Sequence, residues 1–352
     1  MAKVELLAPA GDIESFNSAL ASGADAIYLG LDDFNARKKA QNFSRDNIKE
    51  VIQKAHQRDV KVYLTLNTIV SDEEVSKIKE IIDVAILADI DAFIVQDFGV
   101  LYILTHEYDL GKIEIHASTQ MGIHNLEGAQ IAKQLGISRI VLSRETTKKD
   151  IIEISKNVDI DLEFFVQGAL CVGFSGNCYM SYCDNGKSGN RGECRQLCRY
   201  RYYDPNENKT AYLLSTKDIC LANSLKELTD IGIKSFKIEG RLKDVSYVKN
   251  VVSAYRKKLD KVIAAHPEKY CRASLGTVKH SFDPNLNKTF NRGFTTYFLH
   301  QRENKIASFD TPKAIGEPVG KVKDVRNNYF VVAGVASFSN GDGLCFIKKQ
   351  KK

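Results

Sequence analysis

Nowhere does the 352-residue chain approach eighteen uninterrupted apolar residues, so the sequence offers no transmembrane helix and no membrane partner is expected. Its first residues, MAKVELLAPAGD, have no basic end followed by an apolar core and run into what reads as a strand. No secretory leader is expected from such a start, and the cytoplasm is the expected location. There is no H-E-x-x-H helix of a zinc peptidase, no G-x-S-x-G elbow of a serine hydrolase, and no nucleophile and base that pair by motif. Paired C-x-x-C knuckles are missing too, which argues against a zinc ribbon.

What the chain does have is a mild positive balance, a repeating pattern and clustered thiols. A net charge of +6 and a pI near 8.7 are compatible with a nucleic-acid partner without requiring one. Eight cysteines in a reducing compartment predict metal binding or redox chemistry rather than a disulfide framework. Five of them fall within residues 171–200, CVGFSGNCYMSYCDNGKSGNRGECRQLCRY.

Eight β-rich runs alternate mostly with stretches of helical apolar spacing: VELLAPA, DAIYLGL, VKVYLTLN, DAFIVQD, IEIHAST, RIVLSRE, LEFFVQG and SFKIEG. Several helices end at a glycine that leads into the next strand, as in SGADAIYLG and LGISRIVLS. This α/β pattern predicts a (β/α)8 TIM-like barrel over residues 1–274, with a doubly wound open sheet as the alternative. Residues 168–203 would be a cysteine-rich rim loop inserted after the seventh strand. From 275 to 352 the pattern turns to short strands, prolines and glycines, which predicts a small β-rich C-terminal domain.

Polar residues stand at the C-terminal ends of these strands, where barrel enzymes build their sites: Asn67, Gln96, Asp97, His116, Arg144, Gln167, Glu239 and Arg241. His116 and Glu239 follow apolar strand residues and are the expected proton-handling or substrate-orienting groups. Arg241 offers a planar fork for a carboxylate or phosphate. The cysteine loop would reach the same mouth. Its irregular spacing on glycine-rich backbone suits an iron–sulfur cluster, with zinc and unmetallated thiols as the other readings. Cys183, Cys220, Cys271 and Cys345 are isolated, and buried packing is expected of them. Lys187, Arg191, Arg195, Arg199 and Arg201 lie among Tyr200, Tyr202 and Tyr203. They are candidates to hold phosphates while the rings stack bases, or to balance thiolates.

EFFVQGALCVGFSGNCYMS (163–181), SGNRGECRQLCRYRY and SFKIEGRLKDVSYVKN resemble three successive signature blocks of the collagenase-like peptidase U32 family. IVQDFGVL, EIHASTQMGIHN, KTFNRGFTTYF and NGDGL are most similar to its branch that hydroxylates a cytidine of 23S ribosomal RNA. The resemblance implies an RNA hydroxylase carrying a 4Fe-4S cluster on Cys171, Cys178, Cys194 and Cys198. It also implies dependence on prephenate or a derivative, a small carboxylate metabolite, rather than on molecular oxygen. That branch commonly continues into a further C-terminal region, whereas this sequence stops at Lys352. If that region docks ribosomal RNA, a transfer-RNA uridine becomes the alternative substrate. A U32-type peptidase and a non-catalytic RNA-binding barrel are the other functional classes, and the sequence leaves open whether a partner protein takes part.

Overall fold

A computed structural model gives the fold and describes residues 1–334, 336–337 and 343–346. Eight parallel strands close on themselves: β1 (Ala2–Pro9), β2 (Ala26–Leu29), β3 (Lys61–Leu66), β4 (Ala92–Val95), β5 (Glu114–Ala117), β6 (Arg139–Val141), β7 (Asp161–Ala169) and, after an insertion, β11 (Ile233–Ile238). Phe236 of β11 is in register with Leu6 of β1 on one side and with Phe164 of β7 on the other, which seals the barrel. The expected (β/α)8 barrel is therefore the fold, and its eight strands match the eight β-rich runs.

The helices between strands begin and end for local reasons. Asp12, Asp97, Asn125 and Thr147 each accept a backbone N–H as N-cap of α1 (Ile13–Ala21), α4 (Phe98–His106), α5 (Leu126–Gln134) and α6 (Lys148–Asn157). Gly23 and Gly136, just past α1 and α5, have positive φ, as the sequence pattern requires of a helix stop. The helices α2 (Ile48–His56) and α3 (Val75–Leu87) bury one stripe each, in α3 Ile78, Ile81, Ile82 and Ala85. The main core is this shell between strands and helices.

Inside the barrel, apolar residues fill only part of the space. Leu7, Ala26, Tyr28, Tyr63, Ala92 and Ile94 form a small cluster, and a polar network occupies the rest. Arg139 donates to Glu5 at 2.6 Å, Tyr63 donates to Glu5 at 2.6 Å, and Lys237 donates to Glu163 at 2.7 Å. Ser235 donates to both carboxylates, so each buried charge has an opposite charge and a hydrogen bond beside it.

β7 is the longest barrel strand. It outgrows its neighbours, and its end takes an antiparallel partner, β10 (Asp218–Cys220), with Ala169 opposite Asp218. The cysteine segment is the chain between these two strands. It holds α7 (Met180–Asn185) and a hairpin of β8 (Tyr202–Asp204) and β9 (Lys209–Ala211). Next come α8 (Leu225–Asp230), β11 and the 21-residue α9 (Val245–Ala265), which packs on α1 and β1.

Beyond α9, β12 (Tyr270–Arg272) adds to the start of β1 and β13 (Phe294–Thr295) adds to β10. Tyr297 and Leu299 join the main core, so this stretch is built onto the barrel. A separate hairpin, β14 (Lys321–Val325) with β15 (Phe330–Ala333), follows. Part of the NGDGL stretch and the end of the expected β-rich region lie outside the described residues. Among the described residues, no helix is long and apolar enough to cross a membrane.

Candidate active site at the barrel mouth

The C-terminal ends of the strands surround a cavity of about 510 Å³. Cys171, Cys178, Cys194 and Cys198 all line it, together with Glu239 and Arg241 from the end of β11. The close packing here depends on glycine: a Cβ on Gly11 would fall 1.9 Å from the Arg241 carbonyl oxygen, and one on Gly168 would fall 2.7 Å from that of Glu239.

Among the described residues, Glu239 is the one carboxylate that lines the cavity, and it is set among cations. Arg37 donates to it through Nη2 at 2.9 Å and Nε at 3.3 Å, and Arg144 donates at 3.2 Å. Burial alone would raise its pKa, but Arg37 and Arg144 outweigh burial and hold the carboxyl below its ordinary value. Glu239 is thus an anion that accepts hydrogen bonds. Arg144 also lies over the Phe165 ring at 4.2 Å.

Arg241 is buried and makes no ion pair with a described carboxylate. It donates to Thr65 at 3.0 Å and Asn35 at 3.1 Å, and also to Asn42, while its Nε has no partner. Burial pushes its pKa down to about 10, a sign that the charge is poorly compensated.

His116 does not face the mouth, contrary to expectation. It is completely buried and absent from the cavity lining. Glu114 and His116 share one face because side chains alternate along a strand. The imidazole turns toward Glu114, with Nε2 2.8 Å from Oε2, and meets Tyr63 edge-on at 4.8 Å. Burial, reinforced by Arg139, pushes its pKa down, so the ring is a neutral core group.

Cys171 and Cys178 share a sulfur hydrogen bond that raises the first thiol's pKa and lowers the second's to about 6. Gln196 donates its N–H to the Cys194 sulfur at 3.4 Å. The other thiols stand apart from the cavity lining. Cys220 lies 3.9 Å from the Tyr255 hydroxyl, and Cys183 and Cys345 are exposed rather than packed inside.

The five basic residues expected to grip RNA do not form one row. Lys187 is exposed, 3.8 Å from Glu193, and Arg195 pairs with Asp184 at 3.0 Å while lining the cavity. Arg191 reaches outward to Glu74 at 2.6 Å and to the Ile69 carbonyl. Arg201 donates to the Thr210 carbonyl and lies over Tyr212. Arg199 spends its donors on Leu170, Ser215 and Thr216.

Sequence reasoning missed Arg37, Lys237, Lys243 and Arg292, all of which line the mouth. Arg37 had a readable signal, a long basic βα loop after β2. Lys237 is a charge inside an apolar strand run. Arg292 comes from the KTFNRGF stretch, far along the chain, and only tertiary packing reveals its place.

The chain is 42% identical to the 23S rRNA 5-hydroxycytidine C2501 synthase of Escherichia coli K12 over 99% of its own length and 53% of that protein's. It therefore spans about half the length of that relative. It is 34% identical to tRNA hydroxylation protein P1 of Bacillus subtilis 168, covering 84% of this chain and 71% of the relative. A protein named collagenase from Porphyromonas gingivalis W83 is 30% identical over 96% of this chain and 83% of its own. The family model for peptidase family U32 matches residues 11–308, and the chain belongs to that family.

Proposed function

We propose that the chain is an iron–sulfur enzyme that hydroxylates a pyrimidine of RNA inserted into the barrel mouth, with a cytidine of 23S ribosomal RNA to 5-hydroxycytidine as the leading substrate. The observation that carries this reading is the convergence of four cysteines, Glu239 and Arg241 on one cavity. Two relatives named for hydroxylation of RNA support the reaction class.

The donor set fits a cluster better than a single ion. Among the described residues, no three His, Cys, Asp or Glu side chains gather tightly enough to hold one metal ion. Zinc needs its thiolates about 2.3 Å from a common point. A 4Fe-4S cluster takes thiolates spread around its volume, which Cys171, Cys178, Cys194 and Cys198 provide by lining a cavity. When bound, such a cluster supplies electron transfer at the mouth.

The chain's own residues bind and orient. Phe174 and Tyr200 line the cavity and are 42% and 51% exposed, so their rings are open to stack on a base. Glu239, kept ionised by its arginines, accepts from an exocyclic amine, the group by which cytosine differs from uracil. Arg241, whose hydrogen bonds go to neutral groups alone, suits the carboxylate of a small co-substrate such as prephenate or a derivative. Replacing a ring hydrogen by hydroxyl breaks a C–H bond, forms a C–O bond and removes two electrons from the base; the proposed co-substrate would, in place of molecular oxygen, supply the oxygen atom and accept those electrons.

A transfer-RNA uridine is the second reading, supported by the Bacillus subtilis relative. A peptidase gains less support. Ser175 donates to Glu145 at 3.0 Å and Ser118 accepts from Asn67 at 3.2 Å, so neither cavity serine is bonded to a histidine. Nucleoside mass spectrometry of ribosomal and transfer RNA, from cells with and without the chain, tests the proposal. A hydroxylated cytidine in 23S RNA that depends on the chain is the expected result. A hydroxylated uridine in transfer RNA selects the second reading, and unchanged nucleosides in both fractions overturn RNA hydroxylation.

A further inference from the structure

The KTFNRGF stretch, residues 288–294, brings a cation, Arg292, to the mouth from beyond α9, with the Phe290 ring against it. Phe290 lies beneath two cations at once. The Lys243 ammonium is 3.0 Å from its ring centroid, and the Arg292 guanidinium carbon is 4.6 Å from it. Lys243 and Arg292 both line the cavity.

These two cations are compensated unequally. Arg292 donates through Nη1 to Asp218 at 3.0 Å and through Nε to the Pro312 carbonyl at 2.6 Å, which fixes the guanidinium. Lys243 makes ring contacts with Phe290 and Tyr247, and its ammonium has no hydrogen bond or ion pair to a described residue. It stands immediately before Asp244, the N-cap of the 21-residue α9, where the helix dipole already presents positive charge. Burial and Arg292 push the Lys243 pKa down to about 8. A cation kept in such a place is poised for an anion.

We propose that Lys243 and Arg292, seated on Phe290, form a phosphate subsite of the mouth that binds the phosphodiester beside the inserted base. This rests on the reading of RNA as the substrate. The position favours a backbone group: Lys243 is half-buried and follows Leu242, which is 48% exposed, so its ammonium stands nearer the outer lip of the cavity than the buried Arg241, while Arg292 is itself buried. A chain that inserts one base must run its phosphates over that lip. The aromatic seat holds both cations in place without neutralising Lys243, while Asp218 pairs with Arg292.

The test compares wild type with Lys243→Gln and Phe290→Leu, and with Lys112→Gln as control. Lys112 precedes β5, at the opposite end of the barrel, and is exposed. Binding of a single-stranded cytidine-rich RNA 12-mer is measured at two salt concentrations, with thermal melting to show that each variant folds. Lys243→Gln should weaken binding roughly threefold to tenfold at low salt and lower the salt slope by about 0.7, the share of one phosphate contact. Phe290→Leu should give a smaller loss in the same direction, and Lys112→Gln no change. Equal affinity and slope for wild type and Lys243→Gln would overturn the subsite while leaving the RNA reading in place.

If wild type binds no RNA, the RNA reading fails first, and thermal stabilisation by inorganic phosphate decides the subsite. Stabilisation lost in Lys243→Gln supports a phosphate site, and equal stabilisation in both proteins overturns it. Stabilisation by succinate but not phosphate would assign the cations to a carboxylate ligand and overturn the phosphodiester assignment.

Discussion

Arg199 donates through Nη2 to the Leu170 carbonyl at 2.7 Å, and so ties the residue after Cys198 to the residue before Cys171. The same guanidinium donates to the Thr216 carbonyl at 2.5 Å and to the Ser215 hydroxyl at 3.0 Å. It thereby braces the two ends of the thiol-bearing loop against the strand that follows. Arg199→Gln, which keeps fewer donors, should reduce iron retained by anaerobically prepared protein to less than half of wild type. Arg199→Lys should be intermediate. Unchanged iron and acid-labile sulfide in Arg199→Gln would remove the brace.

The thiols themselves give a sharper comparison. Serine at Cys171, Cys178, Cys194 or Cys198 should abolish the iron–sulfur absorption or leave it labile, since each would lose one thiolate. Cys183→Ser and Cys345→Ser, at exposed positions away from the cavity lining, should retain nearly all of it. Full iron content in Cys194→Ser would show that the fourth ligand lies elsewhere.

Glu239→Gln should cost stability as well as substrate contacts. It leaves Arg37 and Arg144 facing a neutral amide, and breaking a buried pair from one side costs about 3 kcal/mol. The folded pKa of Glu239 is lowered, so its carboxylate contributes in full above its unfolded pKa of about 4.3. That contribution is lost as pH falls through the lowered folded value. Denaturant unfolding of both proteins should therefore show a gap at pH 7 that narrows on acidification. A gap independent of pH would rule out charge as its source.

His116→Ala should behave as a core substitution. Removing the ring beside Tyr63 leaves a cavity inside the barrel and should cost about 2 kcal/mol or more at pH 8. The folded pKa of His116 is depressed, so wild type has its full contribution above the unfolded value of about 6.5. It loses that contribution as pH falls toward the depressed value, and the difference between the proteins should shrink below pH 6. Iron content and RNA affinity at pH 8 should match wild type. A selective loss of RNA affinity in folded His116→Ala would return this residue to the site.

The strands were legible because each is a short β-rich run ending at polar residues, and the helix stops at Gly23 and Gly136 set the repeat. The mouth was partly legible for the same reason: Glu239, Arg241 and Arg144 stand at strand ends, and the cysteines follow β7 directly. His116 misled because a strand end fixes which face a side chain takes but not whether the ring tilts toward the mouth or the floor. Glu114, two residues earlier, decided that. Lys243 and Arg292 meet over Phe290 through packing between segments almost fifty residues apart, which local spacing does not encode.

The ladder between Ala169 and Asp218 has a bearing on divergence within the family. An insertion that leaves and re-enters on hydrogen-bonded neighbours has its base closed before its contents are specified. The entropic penalty of such a loop grows only as the logarithm of its length, about 0.6 kcal/mol per doubling. Residues can be gained or lost between these two anchors with little strain on the eight-stranded frame. The frame can thus stay constant while the roof over the cavity is rewritten for different substrates.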